Sequence, residues 1–97
     1  MQRVLLERRI RDVHDRLVRV RSELALLDEQ RQVVDEDAEE ARVRALVAET
    51  PQAAHDYSEA RRHADALARA RRAMVAQIAE LENRRDDLLG RVRPASR

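Results

Sequence analysis

From Leu6 onward an apolar residue recurs in alternating steps of four and three. The row runs Leu6, Ile10, Val13, Leu17, Val20, Leu24, Leu27, Arg31, Val34, Ala38, Ala41, Ala45 and Ala48, and Arg31 is its single polar member. A spacing that averages 3.5 residues over many turns marks a helix whose apolar stripe lies against another helix in a coiled coil. Neither Gly nor Pro interrupts the row. The spacing therefore predicts one helix over about residues 3–47, roughly 65 Å long at about 1.5 Å per residue.

The row ends at Thr50-Pro51. Thr accepts a hydrogen bond well at a helix N-cap, and Pro suits the first helical position, where no amide hydrogen is needed. A turn at 48–50 and a second helix over about 51–89 follow. The second stripe runs Tyr57, Ala60, Ala64, Leu67, Arg71, Met74, Ile78, Leu81, Arg85, Leu88 and Val92. Gly90 reads as a C-cap, which makes residues 1–90 the hairpin and 91–97, with Pro94, a frayed tail. An alternative breaks the first helix at the acidic run Asp35-Glu36-Asp37-Ala38-Glu39-Glu40, where Asp37 and Glu40 could form a capping box. The unbroken stripe through Val34, Ala38 and Ala41 speaks against it.

So short a turn can only return the second helix antiparallel beside the first. The fold class expected is all-α, an antiparallel two-helix coiled-coil hairpin. With the turn centred near residue 49, facing positions add to about 98, pairing Leu24 with Met74, Val20 with Ile78 and Leu17 with Leu81. A register one heptad away, adding to 105, also keeps the stripes together. On the first of these, Asp35 lies near Arg61, Asp37 near His63, Arg44 near Asp56 and His14 near Glu82, while Arg16 meets Arg84 and Arg9 meets Arg91 unfavourably. Exposed pairs of this kind contribute at most about 1 kcal/mol each, so they tune register without holding the fold. The seam is Leu, Ile, Val and Met away from the turn and largely Ala near it. Most of the stability should come from the larger side chains.

Composition narrows the function classes. Charged residues are 40% of the 97, apolar residues 43%, and Tyr57 is the only aromatic. Such a chain favours long helices over a globular core. Net charge is +1, from 20 arginines against 19 carboxylates of interleaved sign, so nucleic-acid binding is not expected. Arg61-Arg62, Arg71-Arg72 and Arg84-Arg85 come without stacking aromatics. The acidic run lacks the glycine and alternating spacing of a calcium loop. His55, Glu59 and His63 share a helical face, as metal ligands can, yet fall on the solvent side of the seam with no accompanying carboxylate–histidine motif. With no cysteine, no phosphate loop and no nucleophile beside a base, neither cofactor nor catalytic residue is assigned. The chain shows no signal-peptide pattern and no membrane-spanning apolar run, which gives the expectation of a soluble cytoplasmic protein.

A hairpin of two helices buries little surface for its length. The back of the first helix carries Val4, Leu5, Val18, Ala25, Leu26, Val33, Val43, Leu46 and Val47, with Ala68, Val75 and Leu89 on one flank of the second. These positions predict a second interface. The preferred reading is a structural or adaptor protein that self-associates as a homodimer, forming a four-helix bundle, or docks on an unidentified protein partner. Its partner-binding residues are Val18, Leu26, Val33, Leu46 and Val47. In shape the chain also resembles the coiled-coil domain of bacterial transcript-cleavage factors, which deliver acidic tip residues to RNA polymerase. That resemblance implies a regulator inserting its hairpin tip, near Glu49, Asp56 and Glu59, into the channel of a larger enzyme. The tip motif of that family, Gly-Asp followed closely by Glu-Asn, is absent here, as is its second domain, so no site residue carries over.

Overall fold

The computed structural model describes residues 2–92. Two α-helices make up the fold: α1, Gln2–Ala48, and α2, Pro51–Val92. They lie antiparallel as a hairpin. α1 passes through the acidic run at Asp35–Glu40 without interruption, so the three-helix alternative is not adopted. α2 also runs through Gly90, whose backbone is not in the left-handed region, and ends at Val92. Gly90 is therefore no C-cap. A Cβ built there meets nothing within 4 Å, and helical propensity alone cannot stop a helix that Leu88 anchors two residues earlier. The expected tail is helical at Arg91 and Val92; its remaining part, 93–97, lies outside the described residues.

Glu49 and Thr50 alone separate the helices, and each closes one end. Glu49 takes a left-handed backbone (φ 52°) and its amide donates to the Ala45 carbonyl at 3.2 Å, the single-bond αL termination of a helix. Thr50 is the N-cap of α2. Its Oγ1 accepts from the Ala53 amide at 3.1 Å, and its carbonyl accepts the first helical bond, from Ala54, at 3.1 Å. Pro51 stands at the first helical position, where it loses no bond.

The chain packs as two compact units. Among the described residues, unit 1 joins 2–24 to 74–92, and unit 2 is the continuous segment Ala25–Ala73 containing the turn. In unit 1, Val13, Leu17, Val20, Leu81 and Leu88 form the buried core, with Leu6, Ile10, Met74 and Ile78 packed against it. Leu17 is completely buried. In unit 2 the buried apolar residues are Leu27, Ala38 and Ala41, with Val34, Ala45, Tyr57, Ala60, Ala64 and Leu67 half-buried around them. Both stripes read from the sequence are thus turned away from solvent, apart from Ala48 at the turn, which is exposed.

Among the described residues, two ion pairs cross between the helices. Arg71 Nε donates to Asp28 Oδ1 at 2.8 Å in unit 2, and Arg21 donates to Glu82 at 2.7 Å in unit 1. A turn centred between 49 and 50 sets facing positions at a total of 99, which Asp28 and Arg71 meet directly. The Arg21–Glu82 pair totals 103, within reach of a long guanidinium stem. In unit 2 the near-98 register is therefore the one adopted, and the one-heptad shift is not.

Two stability predictions follow from this packing. Leu17→Ala should lower unfolding free energy by about 3 kcal/mol, because a fully buried leucine leaves a cavity that α2 cannot fill; urea denaturation followed by circular dichroism measures it. Glu49→Gly should do the opposite, raising stability by about 0.5–1 kcal/mol by relieving the left-handed backbone. A loss on Glu49→Gly would mean the Glu49 side chain contributes more than its backbone costs.

Candidate interaction surface

The heptad frame sorts the α1 residues before any partner is considered. The seam uses two columns, one through Leu6, Val13, Val20 and Leu27, the other through Ile10, Leu17, Leu24 and Arg31. About 180° from the seam's centre lies a third column, Arg8, Asp15, Ser22, Glu29, Glu36 and Val43, flanked on each side by another about 50° away. One flanking column carries Val4, Val18, Ala25 and Leu46; the other carries Leu5, Leu26, Val33 and Val47. All nine aliphatic residues noted on the back of α1 therefore fall in three adjacent columns. Each is exposed: Leu26 61%, Leu46 65% and Val47 79%, with Val18 and Val33 at 50% and 57%.

Scattered surface aliphatics are ordinary, since more than half of a folded surface is apolar. Confinement to three neighbouring columns is not scatter, and it is what distinguishes this face. α2 contributes less than the sequence suggested. Val75 is exposed, but Ala68 and Leu89 are half-buried at the edges of the seam, so the expected α2 flank is partly consumed by the hairpin's own packing. Val4, Leu5 and Val18 belong to unit 1, while Ala25, Leu26, Val33, Val43, Leu46 and Val47 belong to unit 2.

The charged side chains pair mostly along their own helix. Arg42 grips Glu39 through two bonds of 3.0 and 2.6 Å, and this contact holds the Glu39 carboxyl below the usual carboxylate range and raises Arg42. Arg44 reaches Glu40 at 3.9 Å, Arg61 reaches Asp65 at 3.7 Å, and Arg62 reaches Glu59 at 3.0 Å. Arg61 also donates to the Tyr57 hydroxyl at 3.1 Å, which raises its pKa. Of the cross-helix neighbours expected from the sequence, none is an ion pair here. Asp35 turns to Arg31, Arg44 to Glu40, and Glu82 takes Arg21 rather than His14. Neighbours three or four residues apart on one helix are about 5–6 Å apart at Cβ, so long side chains reach them with less ordering than a facing helix requires.

A shallow groove in unit 1 collects Arg9 and Arg16 from α1 and Arg84 and Arg91 from α2 over a floor that includes Val13, Leu81 and Leu88. The two unfavourable arginine encounters foreseen from the sequence thus share one groove. Asp12, Glu80 and Asp87 border it as well and temper its charge.

At the turn, Glu49, Asp56 and Glu59 are exposed. Asp56 accepts from Gln52 at 2.9 Å and Glu59 holds Arg62, so two of the three tip acids are engaged within α2. His55, Glu59 and His63 are exposed, and no group of three or more side chains suited to a metal ion occurs among the described residues. No described helix is long and apolar enough to cross a membrane.

One seam residue stands apart. Arg31 is half-buried; its terminal nitrogens lie 3.8 Å from Asp28 and 3.9 Å from Asp35, while its Nε is buried with no hydrogen-bond partner. Comparison with family models, curated proteins and solved structures gives no match for this chain. The surface must therefore be read from its own chemistry. For Arg31, that chemistry predicts that Arg31→Met stabilises the hairpin by about 1 kcal/mol, because a flexible apolar side chain removes an unsatisfied buried donor; thermal melts of the two proteins decide it.

Proposed function

We propose that this protein is a cytoplasmic, non-catalytic coiled-coil scaffold that works by protein–protein association, with a homodimer as its basic form. The observation that carries this reading is the outer face of α1. Nine exposed aliphatic side chains share three adjacent heptad columns there. An isolated helical hairpin gains nothing by presenting them to water and would keep polar residues opposite its seam. Covering them would also add apolar burial to a fold whose unit 2 closes largely on alanine.

The seam of the hairpin leaves this face untouched. It can therefore be altered without disturbing the fold, which makes the reading testable. Wild-type protein at tens of micromolar should sediment as a dimer. The Leu26→Asp, Val33→Asp double variant should sediment as a monomer while keeping its helical circular dichroism, since both side chains are exposed in the hairpin itself. A wild-type protein that is strictly monomeric at that concentration would remove self-association from the proposal.

A further inference from the structure

Within unit 2, the outer face of α1 carries charge of one sign only. Its three columns hold six aliphatic residues there, from Ala25 and Leu26 to Leu46 and Val47, and four glutamates, Glu29, Glu36, Glu39 and Glu40. All of these are exposed, and no arginine stands among them. The same columns between Val4 and Ser22 mix the signs, with Arg8, Arg11 and Arg19 beside Asp12 and Asp15.

The four glutamates are not equivalent. Glu39 and Glu40 are engaged by Arg42 and Arg44, which reach in from the bordering columns. Glu29 and Glu36 take part in no ion pair among the described residues, and they stand one heptad apart in the middle column, with aliphatic columns on both sides. Whatever covers the aliphatic side chains therefore covers these two carboxylates as well. Taking a carboxylate out of water with no cation beside it is strongly unfavourable, so the covering surface must supply positive charge in its middle.

From this pattern we infer that the outer face of α1 in unit 2 binds an amphipathic helix of a partner protein, one whose aliphatic stripe is interleaved with arginine or lysine. This rests on the outer face being the interface, as proposed above, and names a partner for it. From Ala25 to Val47 the face runs about 33 Å, the length of a helix of six turns, and such helices bind by laying an apolar stripe along a matching one. Cations one heptad apart on that helix meet Glu29 and Glu36, while its aliphatic residues fall on the flanking columns.

Charge separates this occupant from a second copy. The same stretch of another chain offers aliphatic side chains, but its three columns bring glutamates and no cation to Glu29 and Glu36. The basic helix gains the apolar burial and the ion pairs together, so it holds this stretch more tightly than a second copy does and displaces it. The rim selects in the same direction. Asp28, Asp35 and Asp37 border the face; Arg71 and Arg31 reach the first and Arg31 the second, while Asp37 is exposed and in no ion pair among the described residues. Such a field draws a cationic helix in and turns an acidic one away.

Three fluorescein-labelled peptides of about 21 residues test this by anisotropy against the full chain: a leucine-striped helix with interleaved arginines, the same helix with glutamate for arginine, and the arginine peptide in shuffled order. The arginine helix should bind at least about ten-fold more tightly than either of the others. Glu29→Gln with Glu36→Gln should weaken it at least about five-fold with helical circular dichroism retained, whereas Glu80→Gln with Asp87→Asn, which removes two exposed carboxylates of unit 1, should not. Saturating arginine helix should also convert a sedimenting dimer into a one-to-one complex. Equal binding of the shuffled or the glutamate peptide, or indifference to Glu29→Gln with Glu36→Gln, would overturn the inference, as would a dimer that persists with the helix bound. If the chain alone sediments as a monomer, the same peptide preferences uphold the basic partner and remove only the homodimer. A dimer that ignores all three peptides keeps the homodimer and removes the basic partner.

Discussion

Closure of one helix against the other along a 3.5-residue seam is the constraint on which everything else in this protein depends. The seam can close only because the turn is two residues long and both of its residues terminate a helix. Glu49 ends α1 in the left-handed region, and Thr50 caps α2 with its hydroxyl and its carbonyl. That turn fixes which residues face each other far from it. Leu17 is wholly buried because Leu81 and its neighbours are delivered to it from the far arm. The register is a long-range consequence of a local geometry.

Polar groups in the seam refine this arrangement at a cost in stability. Asp28 receives Arg71 directly and has Arg31 nearby, so unit 2 holds a half-buried cluster of two guanidinium groups and one carboxylate. A row of alanines is nearly featureless and would let the two helices slide past one another. An ion pair linking Asp28 to Arg71 is satisfied in one register and broken in the shifted one. Polar positions in coiled-coil cores are known to specify register at some loss of stability. The unpartnered Nε of Arg31 is consistent with that balance.

The fold was largely legible in the sequence, and the reason is periodic burial. A stripe such as Leu6 to Leu27 can avoid water only on a helix with a companion, and Thr50-Pro51 is a strong local signal of a helix start. What could not be read was set by finer terms. A glutamate at φ 52° is not announced by residue type, because Gly and Asn are the usual occupants of that region. Gly90 misled for the converse reason: a residue suited to ending a helix does not end one when its neighbours remain packed. Exposed ion pairs were the least legible. Arg44 and Arg61 had candidate partners on either helix, and the nearest turn of their own helix prevailed. The outer aliphatics were visible as residues, whereas their confinement to three columns emerged only with α1 established as a single helix, and the α2 flank was overestimated because Ala68 and Leu89 are drawn into the seam's edge.

The two units divide their apolar surface differently, and this bears on the proposed role. Unit 1 spends its leucines, valines and isoleucine inward, on the seam, and leaves only Val4, Leu5 and Val18 exposed on α1's outer columns. Unit 2 does the reverse. Its seam is mostly alanine, while Leu26, Val33, Val43, Leu46 and Val47 face outward. An alanine seam lets two backbones approach closely but buries little area per residue, so unit 2 taken alone is the weaker half by the measure of apolar burial. Its larger side chains are spent on the outer face. The self-association proposed above would cover that face and add the burial that unit 2 lacks, coupling folding of the turn half to assembly.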